Sequence, residues 1–208
     1  MMELATPRLR LREWRESDKA PFFLHINASA SVMRYFPSPL TRAESDAMVD
    51  TLRDKFIQQN GWGLWAVELK ETQELIGFVG LNIPNAPLPF NPCVEIGWRI
   101  AQSHWRKGYT YEAALTVLKY AFEQLKLEEV VAFTAVTNLP SEGVMKKLGM
   151  KKSEYFMHPS LDKTHPLAQH VLYRLKKSRL YFPDKRLDFL AGNAGTGFLS
   201  SIRCLIAK

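Results

Sequence analysis

The sequence predicts a mixed α/β domain built around an antiparallel meander. Two observations support this class. Three strand-like runs follow one another without an intervening helix between residues 64 and 100, and two helical segments enclose a short apolar strand after residue 108. With 208 residues, the chain is long enough for one domain with an extension. Strands are predicted at residues 6–12, 64–69, 75–81, 94–100, 130–136, around residue 155 and at residues 170–175.

The helices are predicted from their start signals as well as from their apolar spacing. Ser17 opens a short helix, and Thr41 and Glu44 form a capping-box pair ahead of a longer one. A strongly periodic helix follows Gly108. The last helix starts near Asn138, with a proline in its first turn.

Composition narrows the class of protein. An apolar fraction of 46% and a charged fraction of 24% are ordinary for a globular chain. No run of eighteen apolar residues and no signal peptide occurs in the sequence, so no membrane span is expected and a cytoplasmic location is the default. The two cysteines, Cys93 and Cys204, lie far apart without metal-ligand spacing, and we expect no metal site.

The net charge of +7 is concentrated at the end of the chain, where residues 177–208 hold six basic and two acidic side chains. We expect residues 6–176 to form the domain. Residues 177–208 form a basic extension that is either weakly ordered or carries a short amphipathic helix. Binding of nucleic acid through this extension is a competing hypothesis, but an anionic cofactor accounts equally well for the remaining positive charge.

The stretch that carries the most chemistry joins the predicted strand 94–100 to the helix after Gly108. A helix N-terminus presents unpaired amides and a partial positive charge, which suit a pyrophosphate. Gly108 lets the backbone turn sharply and approach a phosphate, and Arg106 and Lys107 add positive charge. One glycine before a helix is usually only a turn. The order of strand, turn, helix, strand and Asn-led helix is more specific.

This order resembles the GNAT superfamily of N-acetyltransferases, whose cofactor turn reads Gln/Arg-x-x-Gly-x-Gly/Ala. Residues 105–110 occupy that motif and depart from it at Trp105 and Thr110. Trp105 is similar to the branch that acetylates the N-termini of ribosomal proteins. That branch also shares a Glu-Ile-Gly-Trp strand at residues 95–98, a Glu-Ala pair at residues 112–113 and an opening motif at residues 6–12, here with one extra residue. The resemblance covers residues 6–176.

The resemblance implies a sheet that splays between two parallel strands, with helices on both faces. It places acetyl-CoA between the strands 94–100 and 130–136. It implies acetyl transfer to a primary amine, on a protein N-terminus or a small molecule, by direct attack in a ternary complex, and leaves open a monomer or a homodimer. The implied cofactor contacts are Trp98, Arg99, Ile100, Arg106, Lys107, Gly108, Tyr109, Thr110, Tyr111, Asn138 and Ser141.

Glu95 is the leading general base, since the family uses a glutamate there; the alternative is a surface ion pair. Asn138 is either only a helix cap or also a hydrogen-bond partner of the pantetheine. Ser141 is the catalytic candidate beside the departing sulfur. Many superfamily members carry a tyrosine acid where this chain has Met145. That departure motivates the alternative of an acyl-CoA-sensing module without turnover.

The acceptor side is predicted least well. Gly97 indicates either a bulge or close backbone approach, or simply room for Trp98. His158 is a candidate substrate-side base, with a loop or packing role as the alternative. Aromatic residues at four positions either line an acceptor pocket or pack in the core. These positions are Tyr35, Phe36, Trp62 and Trp65.

Overall fold

The computed structural model describes residues 3–179, which form one eight-stranded sheet with helices on both faces. The strand order is β1-β2-β3-β4-β5-β6-β8-β7, and every neighbouring pair is antiparallel except β5 with β6. The strands are β1 Leu4–Ala5, β2 Leu9–Arg12, β3 Leu64–Leu69, β4 Leu75–Asn82, β5 Glu95–Ile100, β6 Glu129–Ala135, β7 Lys151–Met157 and β8 Gln169–Lys176. The predicted fold class is therefore confirmed.

Two of the predicted helix starts, at Thr41 and Asn138, are confirmed. Ser17 lies inside the 3-10 turn Glu16–Asp18, and the first α-helix begins at Lys19 without a side-chain cap. Thr41 and Glu44 form a reciprocal capping box, and the Asn138 side chain accepts a hydrogen bond from the Ser141 amide. The segment Phe23–Asn27, which continues the first helix, is π-helical. The α-helices are α1 Lys19–Phe22, α2 Ala30–Met33, α3 Arg42–Gln58, α4 Tyr109–Glu123 and α5 Leu139–Lys147.

Alternation along the strands divides the core between the two faces of the sheet. On one face, α4 packs its apolar stripe against β5 residues such as Ile96 and Ile100. On the other face, α1–α3 bury a second cluster that includes Phe22, Val49 and Phe78. Side chains at positions 95, 97 and 99 of β5 therefore lie on the α1–α3 face.

Buried charges on the α1–α3 face form a closed network. Arg12 donates to both carboxylate oxygens of Asp18 at 2.7 and 2.9 Å, and its Nε donates to Glu68 at 2.7 Å. All three side chains are less than a tenth exposed. The pKa of Arg12 is raised, because burial would lower it but the hydrogen bonds to Asp18 and Glu68 outweigh that effect.

Two expectations change in detail. The first long strand begins at Leu9 rather than at residue 6, because Thr6 turns back to bond the Leu9 carbonyl and amide. Gly97 is not a bulge, since it pairs in register with Gly80 and the β4–β5 ladder is continuous.

Of the basic extension, residues 177–179 form a single 3-10 turn, and residues 180–208 lie outside the described part. No helix within residues 3–179 combines the length and apolarity needed to cross a membrane.

Candidate active site

The turn before α4 leaves several amides without acceptors. Gly108 is the N-cap of α4, with a φ of 82° and no side-chain cap. Arg106 also has a positive φ, of 61°. The first intrahelical bond runs from the Glu112 amide to the Gly108 carbonyl, so the amides of residues 109–111 have no partner within the helix. The turn is exposed and presents these donors at the positive end of the helix dipole.

An arginine from the N-terminal segment braces this turn. The Arg8 guanidinium donates to Glu112 at 2.7 Å, donates to the Lys107 carbonyl at 3.1 Å, and lies 4.5 Å from the centre of the Tyr109 ring. The Glu112 carboxylate also accepts from the Thr6 hydroxyl at 2.5 Å. Arg8 thus neutralises the one acidic side chain in the first turn of α4, which keeps that end of the helix favourable for an anion.

A gap opens between β5 and β6. The two strands share a single residue pair, Glu95 with Val131, where the Val131 amide donates to the Val94 carbonyl at 3.0 Å. Each strand continues pairing with its outer neighbour, β5 with β4 to Ile100 and β6 with β8 to Ala135. Within the described residues the strands therefore diverge toward their carboxyl ends.

Peptide groups of alternate β5 residues face this gap. The Val94 carbonyl points to β6, and the Ala101 amide donates to the Ile76 carbonyl near β4. Even-numbered residues of β5 therefore direct their peptide groups toward β6. The amides of Trp98 and Ile100 face the gap beyond the last bridge, as donors without a strand partner.

Trp105 of the matched turn motif and Arg99 of the predicted cofactor set make other contacts. The Trp105 indole donates to the Ile100 carbonyl at 2.7 Å, so the aromatic residue that opens the motif ties the turn to the end of β5. The Arg99 peptide group faces β4, and its side chain lies on the α1–α3 face, opposite α4. This arrangement disfavours the predicted contact between Arg99 and the cofactor.

Glu95 stands at the narrow end of the gap, on the α1–α3 face. Burial raises the pKa of its carboxyl group to about 7, partly offset by a hydrogen bond with Asn82. One carboxylate oxygen lies 3.9 Å from the position that a Cβ on Gly97 would occupy, and no other heavy atom lies within 4 Å of that position. Gly97 therefore leaves open space beside Glu95. A carboxyl group with a pKa near neutrality is matched to proton transfer at physiological pH.

The N-terminus of α5 borders the gap from the β6 side. The Asn138 oxygen accepts from the Ser141 amide at 3.3 Å, and its nitrogen donates to the Thr134 hydroxyl at 2.8 Å. The capping role of Asn138 is thus present in the structure. The Ser141 side chain is partly exposed. Met145 is buried in the core, so it has no part in the site.

The aromatic acceptor candidates separate into core and surface. Trp65 is fully buried between the rings of Phe56 and Tyr120, and Trp62 is buried in the same cluster. Both tryptophans pack in the core, so the expectation that they line an acceptor pocket is wrong. Tyr35 is partly exposed and stacks with Arg34 rather than with the site.

His158 lies among aromatic rings on the Glu95 face of the sheet. Its ring is 4.9 Å from that of His170, and both contact Phe133, which extends from β6. Burial lowers the pKa of both histidines. Nδ1 of His158 accepts from the Ser160 amide at 3.2 Å, which leaves a neutral ring no free lone pair. This geometry disfavours His158 as a base and is typical of a side chain in a packing role.

No group of three or more potential metal ligands clusters within residues 3–179.

Sequence reasoning missed three contributors. Arg8 and Glu112 belong to matched family motifs, but only the fold shows that they bond each other. Asn82, which bonds Glu95, stands opposite it in the β4–β5 ladder. The available signal was the register of the meander, since a correct pairing of β4 with β5 would have placed the Asn82 amide beside Glu95.

Comparisons with known proteins identify related acetyltransferases. A family model described as an acetyltransferase (GNAT) domain matches residues 8–151. The uncharacterized N-acetyltransferase YnaD of Bacillus subtilis is 29% identical over 156 residues, covering 74% of this chain and 86% of its own. FsC-acetyl coenzyme A-N(2)-transacetylase of Aspergillus fumigatus is 29% identical over 164 residues, covering 74% and 67%.

Solved structures share the fold. A GNAT-family acetyltransferase from Bacillus anthracis superposes with a TM-score of 0.71 at 25% identity, over 85% of this chain and 99% of its own. A Vibrio cholerae protein, provisionally described as a ribosomal-protein-serine acetyltransferase, superposes with a TM-score of 0.68 at 21% identity. The match covers 84% of this chain and 97% of the Vibrio cholerae chain. That likeness supports the fold and leaves the ribosomal branch a prediction. The match over residues 8–151 identifies the chain as a member of the GNAT family and as an acetyltransferase.

Proposed function

We propose that this protein transfers the acetyl group of acetyl-CoA to a primary amine within a ternary complex. The observation that carries the proposal is the juxtaposition of three features: the uncapped amides of α4, the gap between β5 and β6, and Glu95 at its narrow end. A family relative whose name includes acetyl coenzyme A supports the choice of donor.

The residues around the gap suit acetyl-CoA along its length. The amides of residues 109–111 provide donors for a diphosphate, and Gly108 adds no Cβ between them and the solvent. Arg106 and Lys107 supply nearby positive charge from exposed positions. The Trp98 and Ile100 amides provide donors for the amide carbonyls of a pantetheine arm. We therefore keep these residues, with Tyr109, Thr110 and Tyr111, as the cofactor set.

When bound, acetyl-CoA supplies a thioester, whose carbonyl carbon is open to attack. An acceptor amine forms the new C–N bond, the C–S bond breaks, and Glu95 accepts the amine proton directly or through one water. Glu95 can do so because its raised pKa makes it a stronger base than an ordinary carboxylate. In this proposal the partly exposed hydroxyl of Ser141 donates a hydrogen bond to the departing sulfur. A thiolate with a pKa of about 8–9 also leaves without a proton, so Met145 is compatible with turnover.

The assay for this function measures thiol release from acetyl-CoA, with product mass, over a panel of primary amines from pH 5.5 to 9. We expect kcat/KM of the wild type to rise with pH through about 7, because the base must be ionised. Glu95→Gln should lower kcat/KM by about 100-fold and lose that titration. Glu154→Gln, an exposed carboxylate on β7, is the matched control.

Two results would contradict the proposal in different ways. A Glu95→Gln enzyme that follows the wild type at every pH would remove Glu95 as the base. Saturable binding of acetyl-CoA without acetylation of any amine would instead support an acyl-CoA-sensing module.

A further inference from the structure

Arg99 is a partly buried cation without a counter-ion within residues 3–179. Among the described residues, no carboxylate lies within ion-pair distance of its guanidinium. Its Nε atom is buried and has no hydrogen-bond partner in that part of the chain. Burial lowers the pKa of Arg99 to about 10, and no neighbouring charge opposes the effect. A partly buried charge with an unpaired buried donor is unfavourable and calls for an explanation.

The guanidinium is nevertheless held in a defined position. Nη1 donates to the Asn27 oxygen at 2.6 Å, and Asn27, itself fully buried, donates to the Ser45 hydroxyl at 3.0 Å. The ring of the exposed Phe36 lies 4.0 Å from the guanidinium carbon, and that of Phe78 lies 5.5 Å away. Asn27 ends the π-helical segment, a feature that occurs frequently at functional sites.

The position of Arg99 separates it from the coenzyme phosphates. Its side chain lies on the face of α1–α3, while the N-terminus of α4 packs on the opposite face. Glu95 is on the same face of the same strand, four residues away, which places the two Cα atoms about 13 Å apart along an extended strand. An anion at Arg99 therefore belongs to the molecule whose amine lies near Glu95.

We propose that Arg99 binds an anionic group of the acceptor, so that the substrate is a primary amine carrying a carboxylate or a phosphate at some distance from the amine. A guanidinium presents paired donors that match either group in a bidentate fashion. This inference rests on the proposed function and specifies its substrate class.

The test compares kcat and KM for matched amines with and without an anion. One pair is 4-aminobutanoate against 1-butylamine, and the other is 3-aminopropyl phosphate against 3-amino-1-propanol. We expect the wild type to favour the anionic member of at least one pair by about 10- to 100-fold. The pair with the larger ratio distinguishes carboxylate from phosphate. Arg99→Gln should reduce that ratio to less than about 3-fold, mainly through KM, and Arg99→Lys should retain part of it.

Arg53→Gln is the control, since Arg53 is an exposed arginine on α3 whose ion pair with Glu16 lies on the surface. It should leave the ratios unchanged. Equal use of charged and neutral amines by the wild type, with the same ratio in Arg99→Gln, would overturn the inference and leave the transferase intact.

A binding measurement separates this inference from the proposed function. Butanoate and methyl phosphate, which lack an amine, are titrated calorimetrically into the wild type and Arg99→Gln. We expect binding of at least one of them to the wild type that weakens about 10-fold or more in the variant. This result is expected even if no amine is acetylated. Absence of binding of both anions to the wild type contradicts the inference.

Discussion

Two arginines on one face of the sheet have opposite surroundings: Arg12 is buried beside two carboxylates, and Arg99 is partly buried with none beside it among residues 3–179. The guanidinium of Arg12 on β2 donates hydrogen bonds to the carboxylates of Asp18 and Glu68, with donor–acceptor distances between 2.7 and 2.9 Å. Arg99 on β5 has one neutral partner, Asn27, and an unpaired Nε. The pKa of Arg12 is raised, whereas that of Arg99 is lowered by burial.

We interpret Arg12 as a charge that stabilises the fold and Arg99 as a charge that binds a ligand. Glu95 follows the same pattern as Arg99, since burial shifts its pKa toward the neutral form and no cation compensates. Two desolvated charged groups on one strand that have neutral hydrogen-bond partners but no counter-ion within residues 3–179 are unfavourable for folding alone. Such departures concentrate at functional sites, where a ligand supplies the missing partner.

The largest expected effect comes from removing Arg12. Arg12→Met leaves two carboxylates buried without their cation, and should lower the free energy of unfolding by about 3–5 kcal/mol. Arg99→Met removes a cation that has no counter-ion, and should change the free energy by less than about 1 kcal/mol in either direction. Urea unfolding at pH 7 measures both. Equal losses of unfolding free energy in the two variants would show that Arg99 stabilises the fold as Arg12 does, and would contradict the proposed difference between the two arginines.

The free energy of unfolding of Glu95→Gln as a function of pH tests whether Glu95, like Arg99, lacks a compensating charge. The folded pKa is about 7, above the ordinary value of 4.5, so the folded state binds the proton more tightly than the unfolded state. Stability from this group is complete below about pH 4.5 and is lost as the pH rises through 7. The variant should therefore match the wild type near pH 4 and exceed its free energy of unfolding by about 2–3 kcal/mol at pH 8. A variant less stable than the wild type at pH 8 would contradict this account.

A smaller effect is expected at the phosphate turn. Gly108 and Gly149 have nearly the same φ, 82° and 79°, and a Cβ meets at most one side-chain atom at 3.4 Å in either place. Gly108→Asp and Gly149→Asp therefore introduce the same strain and the same charge. The first should raise the Kd of acetyl-CoA by about 10-fold, or 1.4 kcal/mol, and the second by less than about 2-fold. Equal effects from calorimetric titration would place the phosphates elsewhere.

Much of the fold could be predicted from local signals. The Thr41 capping box, the Asn138 cap and the meander all depend on residues close in sequence, and the structure confirms them. The turn at Gly108 could also be predicted from local sequence, because every helix N-terminus has backbone amides without partners in the helix.

The acceptor side could not be predicted in the same way. The partners of Arg99 are Asn27, which is 72 residues away, and Phe36, which lies in a bend after α2, and no periodicity connects them. The core position of Trp65 depends on packing against α3 and α4, which sequence spacing does not specify. Arg8 was visible as part of a motif, but its contact with Glu112 spans 104 residues.

Residue-specific amide hydrogen exchange with and without acetyl-CoA tests the central claim most directly. That claim is that main-chain donors at the α4 N-terminus and along the open edge of β5 hold the coenzyme. In the free protein these amides lack an internal acceptor and should exchange fast. Saturating acetyl-CoA should slow exchange by about 10-fold or more at Trp98, Ile100, Tyr109, Thr110 and Tyr111. Unchanged exchange at these five amides, with acetyl-CoA bound, would contradict the account.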